Sequence, residues 1–274
     1  MYPVNWIDRT GWDLYKYLPS YPKKIHIVVN TLMYDFWATG LDMRIFLYSE
    51  PPEIIKDIDQ YCRTHRRAYD YILTWDEDIL NSIPNARKII YIDPWITDKF
   101  VEKEKEFKLT FLSGVKDQTY GHMLRFNIYN MVGNVKMPHD FYRIMDFNRH
   151  LREDCLFSNS QFNLAIENSV HNNYFTEKIL DCFLTKTIPI YYGCPNIGDW
   201  FDVNGIIKID SEEDFYNKIN SLDEHYYWKH YNLVEKNFNV AREMCKDLGT
   251  GGYKTLDRKI NELIAEKYEH KRIS

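Results

Sequence analysis

Lys178 is the residue whose type and position in this 274-residue chain most plainly invite chemistry. It closes the run Tyr174-Phe175-Thr176-Glu177-Lys178, where a polar loop gives way to a helical pattern with Ile179, Leu180 and Phe183 on one face. A cation in the first turn of a helix opposes the macrodipole by about 0.3–1 kcal/mol. It belongs there when an anion shares the helix start, held by backbone N–H groups that lack helical partners. The alternative is a solvated lysine paired with a carboxylate such as Glu177. A second polar cluster lies upstream, with Ser113-Gly114, Lys116, Gly121-His122 and Arg125 following an apolar run. By the rule for open α/β sheets it holds a ligand-side position, or it is simply a helix start whose arginine makes a surface ion pair.

Glu50 is the acid of the first half of the chain that most invites a role in proton transfer. It follows the apolar run 43–48 (MRIFLY), and Pro51-Pro52 pin the loop beyond it. A carboxylate held rigidly at a cleft edge acts as a general base where apolar surface keeps its pKa near the working range. The plainer alternative is a solvated loop glutamate. His26, Asp35, Asp93 and His122 are rivals on the same grounds. Asp76-Glu77-Asp78 has the form of a DxD metal-binding pattern, but it opens an amphipathic helical run where carboxylates complement the dipole, so capping is the favoured reading. No other Asp, Glu or His cluster has metal-ligand spacing. No GxxxxGK[ST], GxGxxG or GxSxG fingerprint occurs.

The elements that must position these residues alternate between strand and helix. Residues 162–193 spell strand, polar loop, helix and strand, a βαβ unit in which ligands sit at the carboxyl ends of the strands. Before it, apolar runs at 23–30, 43–48, 69–75 and 87–92 read as strands, with a helix at 53–66. The charged segment 93–106 reads as a linker. A second series opens with a strand at 108–114 and a helix at 121–131, and 132–160 is expected to be loop with short helix. A strand at 205–209, a helix at 211–222 capped by Ser211, and helical pattern from 225 onward, broken by a turn at 249–252, complete the chain. Apolar strands alternating with helices call for parallel sheets covered on both faces. The expected class is therefore α/β, with two Rossmann-like domains facing each other across a cleft, at 1–105 and 106–250, and a helical tail at 251–274.

Apolar residues at 45% and charged residues at 27% are ordinary for a soluble globular protein. A net charge of −5 offers no electrostatic case for nucleic acid or an anionic membrane. Aromatic residues, at 16%, are abundant enough to serve sugar-stacking surfaces as well as a core. Five widely spaced cysteines without a CxxC fit reduced thiols in a cytosolic protein. The absence of a long apolar run and of signal-peptide character adds to the expectation of a soluble, cytoplasmic chain without a membrane span.

Glu167-Asn168-Ser169, Tyr174-Phe175-Thr176-Glu177-Lys178 and Ile188-Pro189-Ile190-Tyr191-Tyr192-Gly193, preceded by Phe162-Asn163-Leu164, occur in one order and at compatible spacing. In this stretch the chain resembles the family 10 glycosyltransferases, the α-1,3/1,4-fucosyltransferases, whose donor-binding motif runs FxLxFENS, Y-[VF]-TEK and [VI]-P-[IV]-Y-x-G. The resemblance implies a GT-B fold and an inverting transfer from a nucleoside-diphosphate sugar, GDP-fucose in characterised members. It also implies no cofactor and no metal essential to the chemistry. By position, Lys178 would hold the diphosphate, Glu177 the ribose, and Asn168 and Tyr174 would line the donor pocket. Arg125 best matches the arginine that members place on the phosphates. Ser49-Glu50-Pro51-Pro52 is similar to the context of the first-half base, which makes Glu50 the expected catalytic residue. The domain 1–105 would then be the acceptor side, and 106–250 would bind the nucleotide sugar. The expected partners are that donor and an oligosaccharide or glycan acceptor, with no nucleic acid. The open alternatives are the same fold with another nucleotide sugar, or a catalytically idle nucleotide-sugar-binding protein.

Overall fold

The structure is a computed structural model describing residues 25–30, 43–90, 92–96, 100–143, 155–246 and 254–269. The chain forms two compact units, one of residues 1–91 with 252–274 and one of residues 92–251.

The first unit carries a four-stranded, wholly parallel sheet. Its strands β1 (Ile25–Val29), β2 (Met43–Tyr48), β3 (Tyr71–Thr74) and β4 (Ala86–Lys88) lie in that order. Ile45, Leu47, Ile72 and Leu73 are fully buried, as strands covered on both faces must be. Helix α1 (Ile58–His65) is shorter than the 53–66 expected. The amides of Ile54 and Ile55 both donate to the Pro51 carbonyl, and Asp57 takes a left-handed φ of 63°, so a turn precedes the helix and interrupts its pattern. Helix α2 (Glu77–Ser82) starts as the capping reading requires, with Asp76 Oδ1 accepting from the Ile79 amide at 2.8 Å. Of the strand expected at 87–92, β4 takes in Arg87 and Lys88, and the Ile89 amide donates to the Thr74 carbonyl at 3.0 Å.

The C-terminal helix, Lys254–Glu269, belongs with this first unit. Leu256, Ile260 and Leu263 recur on one helical face and join the core of Ile25, Ile27, Ile45, Leu47 and Leu73. Arg87 to Glu266 at 2.5 Å and Lys267 to Asp70 at 2.7 Å add ion pairs along the same packing.

The second unit carries a five-stranded parallel sheet. In chain order come β5 (Glu106–Ser113), α3 (Tyr120–Asn130), β6 (His139–Arg143), β7 (Ser160–Ile166), α4 (Glu177–Leu184), β8 (Ile188–Tyr192), β9 (Ile207–Lys208), α5 (Glu212–Ile219) and α6 (Tyr231–Met244). The spatial order is β6-β5-β7-β8-β9. Every residue of β7 is buried, and Phe162, Leu164 and Ile166 pack with Leu109, Phe111, Leu124, Ile128 and Ile190. Strand β6 lies inside the stretch expected to be loop and short helix. Its sequence HDFYR has no apolar run because it is an edge strand with every residue only half-buried.

The expected linker at 93–106 packs on this second unit. Lys105 is buried and donates to Phe157 O at 2.7 Å and Thr187 Oγ1 at 3.2 Å, and the Trp95 amide donates to Asp181 at 2.9 Å. Burial lowers the Lys105 pKa to about 8. Ser211 caps α5 through the Asp214 amide at 3.2 Å, as its sequence requires. Among the described residues no helix is long and apolar enough to cross a membrane. All five cysteines are free.

Candidate functional site

Chain order and strand order together locate a site in the second unit. From β5 the chain goes to one side, to β6, and then returns to the other side, to β7 and β8. The break between β5 and β7 is a topological switch point, where crossover connections diverge and leave a crevice at the carboxyl edge of the sheet. Helix α3, after β5, and the loop and helix after β7 both begin at this edge. They bring Arg125, Asn168, Glu177 and Lys178 to one place.

Helix α4 starts at a built cap. Thr176 is the N-cap, and its hydroxyl accepts from the Lys178 amide at 3.4 Å. Glu167, at the end of β7, is completely buried and accepts from the Thr176 amide at 2.8 Å and from its hydroxyl at 2.9 Å. The Glu167 amide donates to the Tyr192 carbonyl of β8 at 2.8 Å, which fixes the carboxylate's base. Lys178 Nζ lies 3.2 Å from Glu167, 3.4 Å from Glu177 and 2.8 Å from Thr176 Oγ1, with about a quarter of its side chain (24%) exposed. Burial acts to lower its pKa, but the Glu167 carboxylate, then Glu177, outweigh that and raise it above the ordinary lysine value. Gly193 is required here, because a Cβ would stand 2.6 Å from the Glu167 side chain and 2.5 Å from the Tyr191 hydroxyl.

Arg125 is buried one turn inside α3. Its Nε donates to the Ile166 carbonyl at 3.0 Å and a terminal nitrogen also donates there, while the same nitrogen reaches Asn168 Oδ1 at 2.9 Å. The guanidinium is thereby locked against the end of β7. Tyr174 is buried and meets His171 edge-on at 6.5 Å. His122 is buried on the same helix as Arg125, and burial, followed by the charges of Arg125, Lys116 and Lys178, lowers its pKa to about 4.

Gly121 permits the close approach that assembles this cluster. A Cβ at this position would lie 2.0 Å from the Glu167 carbonyl oxygen and 2.6 Å from that of Asn168. Gly121→Ala is expected to destabilise the protein by about 3 kcal/mol or more, since backbone on both sides must move. An unchanged urea midpoint for this variant would refute that packing account.

In the first unit, Glu50 stands at the carboxyl edge of β2, half-buried. The Asn30 carboxamide oxygen accepts from the Ser49 amide at 2.9 Å and the Glu50 amide at 3.2 Å, and its nitrogen donates to Ser49 Oγ at 2.9 Å. Trp75 Nε1 donates to the Ser49 carbonyl at 3.0 Å. Residues at the ends of β1, β2 and β3 thus fix the Glu50 backbone. Among the rivals, His26 lies in β1, Asp93 in the segment 92–96, which has no regular secondary structure, His122 on α3, and Asp35 outside the described residues. No group of three or more His, Cys, Asp or Glu side chains placed to hold a metal ion occurs among the described residues.

Glu167 and Gly121 are contributors that motif reading left without a role. Glu167 carried one signal, an acid placed where an apolar strand ends, but its burial against Thr176 and Lys178 is a tertiary fact.

The family model for glycosyltransferase family 10 (fucosyltransferase) C-term matches residues 103–251. The α-(1,3)-fucosyltransferase FucT of Helicobacter pylori is 36% identical over 58 residues, which cover 21% of this chain and 12% of that enzyme. GDP-fucose protein O-fucosyltransferase 3 of Danio rerio is 28% identical over 116 residues, covering 38% of this chain and 22% of the relative. The matches thus span less than a quarter of these curated relatives' length. Among solved structures, an α1,3-fucosyltransferase with GDP superposes with a TM-score of 0.48 at 17% identity, covering 78% of this chain and 69% of that one. TarM does so with a TM-score of 0.47 at 14% identity, covering 86% and 54%.

Proposed function

We propose, from the premise that the chain belongs to glycosyltransferase family 10, the fucosyltransferase family, that it transfers L-fucose from GDP-fucose to a glycan hydroxyl with inversion. Two separate parallel α/β units are the pair of halves that a GT-B enzyme requires. The observation that carries the proposal is the meeting of Arg125, Asn168 and Lys178 at the switch point within the family-matched region.

The roles follow from charge. As the anomeric carbon leaves the β-phosphate oxygen, the diphosphate gains negative charge, which fixed cations and helix N-termini stabilise best because they need no reorganisation. Lys178, Arg125 and the first turn of α4 supply those groups. Glu177 takes the ribose, and Asn168 and Tyr174 line the pocket. Glu50 receives the proton of the acceptor hydroxyl, and a single in-line displacement inverts the anomeric centre. The chemistry is assigned no metal and no cofactor.

Thermal stabilisation by nucleoside diphosphates tests the donor. At a hundred times its dissociation constant, GDP is expected to add about 2.7 kcal/mol to stability, with UDP and dTDP adding much less. A shift with UDP or dTDP but not GDP would replace fucose by another sugar, and no shift with any of the three would remove the nucleotide-sugar assignment.

A further inference from the structure

His122 has no part in the motif, in the family resemblance or in the anion contacts described above. It lies in the first turn of α3, its amide bonded to the N-cap hydroxyl of Thr119 at 3.2 Å. The residue is 3% exposed, and its Nδ1 is buried with no hydrogen-bond partner. Ser169 Oγ, in the loop that follows β7, is also buried without a partner. An unmet buried polar atom costs about 1–3 kcal/mol, a cost that a ligand group at this edge of the sheet would remove.

The charges that act most on the ring come from three elements. Arg125 follows on α3, Lys116 comes from the β5–α3 loop and Lys178 from the first turn of α4, while Asn168 of the β7–α4 loop reaches the ring through its side chain. Glu167 and Glu177, the acids beside Lys178, are both engaged by it. Three cations and burial hold the ring neutral in the free protein. A diphosphate bound among the same cations offsets that field with two negative charges and favours the protonated ring.

We propose that His122 is a further donor-site residue, which takes up a proton from solvent as the diphosphate of a sugar nucleotide arrives and presents Nδ1–H to it. The proposal rests on the donor-binding role given above to Arg125 and Lys178. No covalent bond changes on binding, and one proton moves from solvent to the imidazole. During transfer the bond from the anomeric carbon to the β-phosphate oxygen breaks, its electron pair stays on the phosphate, and the imidazolium faces the added charge.

The sign of the pH dependence is fixed. The free ring is neutral above about 4, and the bound anion raises its affinity for a proton. Donor affinity therefore increases as pH falls through the bound-state value, by up to about tenfold per pH unit. The test is titration calorimetry of the full chain with GDP-fucose, acceptor absent, in two buffers of different ionisation enthalpy. GDP-fucose carries no phosphate group that titrates in this range, so proton uptake reports the protein. Wild type is expected to take up most of a proton per donor bound at about pH 6 and little at about pH 8, and to bind several-fold tighter at the lower pH. His122→Gln is expected to lose both effects while still binding. Donor binding without proton uptake in wild type, a result that needs no variant, would overturn the inference and leave the functional assignment standing. Equal uptake by His122→Gln would also overturn it. Absence of GDP-fucose binding would overturn the functional assignment, and this inference with it.

Discussion

Lys178→Ala is expected to lower transfer by about 10²–10³-fold, the cost of removing a preorganised group from developing negative charge. It is also expected to destabilise the protein, an effect that follows from Glu167. That carboxylate is completely buried, and Lys178 is its cationic partner at 3.2 Å. Breaking such a pair from one side strands a buried charge and costs about 3–5 kcal/mol. The two effects separate in a double variant. Glu167→Gln combined with Lys178→Ala removes the stranded charge while leaving a group able to accept from Thr176, so most of the stability returns and the lost transfer does not. Urea denaturation of both variants, beside turnover with saturating donor, checks this. Lys178→Ala with wild-type turnover would remove the lysine from the chemistry. An unchanged midpoint for the single variant would show that the pair contributes nothing to the fold.

Glu50→Gln gives the second large effect, a fall of about 10²–10⁴-fold in kcat, the usual share of a positioned base. The hydrogen bonds that fix the end of β2 should persist. The contacts with Asn30 and Trp75 run through the backbone amides and carbonyl of Ser49 and Glu50 and the Ser49 hydroxyl, and the substitution touches none of them. Donor affinity should also persist, because the groups assigned to the diphosphate are Arg125 and Lys178. Glu50→Gln turning over at the wild-type rate would return the base role to one of the rival acids or histidines. Loss of donor binding together with activity would make Glu50 a binding residue instead.

Several elements were legible because their signals are local. The run MRIFLY followed by Ser-Glu-Pro-Pro marks a strand and its end, and β2 stops at Tyr48 as that pattern requires. Asp76 and Ser211 announce helix starts through hydrogen bonds that span three residues. The segment around Thr176-Glu177-Lys178 likewise carries a cap and an apolar face within one short window. Edge strand β6 was not legible, since half-buried residues need no apolar period. Nor was the delayed start of α1, where the Pro51 carbonyl captures two amides before any helix forms.

The sequence by itself determined the class, the βαβ unit, the order of the motif residues and the presence of a lysine at a helix start. Those properties depend on residues within a few positions of one another, where chain geometry leaves few choices. The tertiary structure alone decided that β5 and β7 are neighbours, so that Arg125 reaches Ile166 and Asn168 across about forty residues of chain. It also decided that Glu167 is buried under Lys178, that His122 sits among three cations, and that the C-terminal helix returns to the first sheet. Such pairings are chosen by which apolar faces bury one another best, a competition among distant segments that no local pattern records.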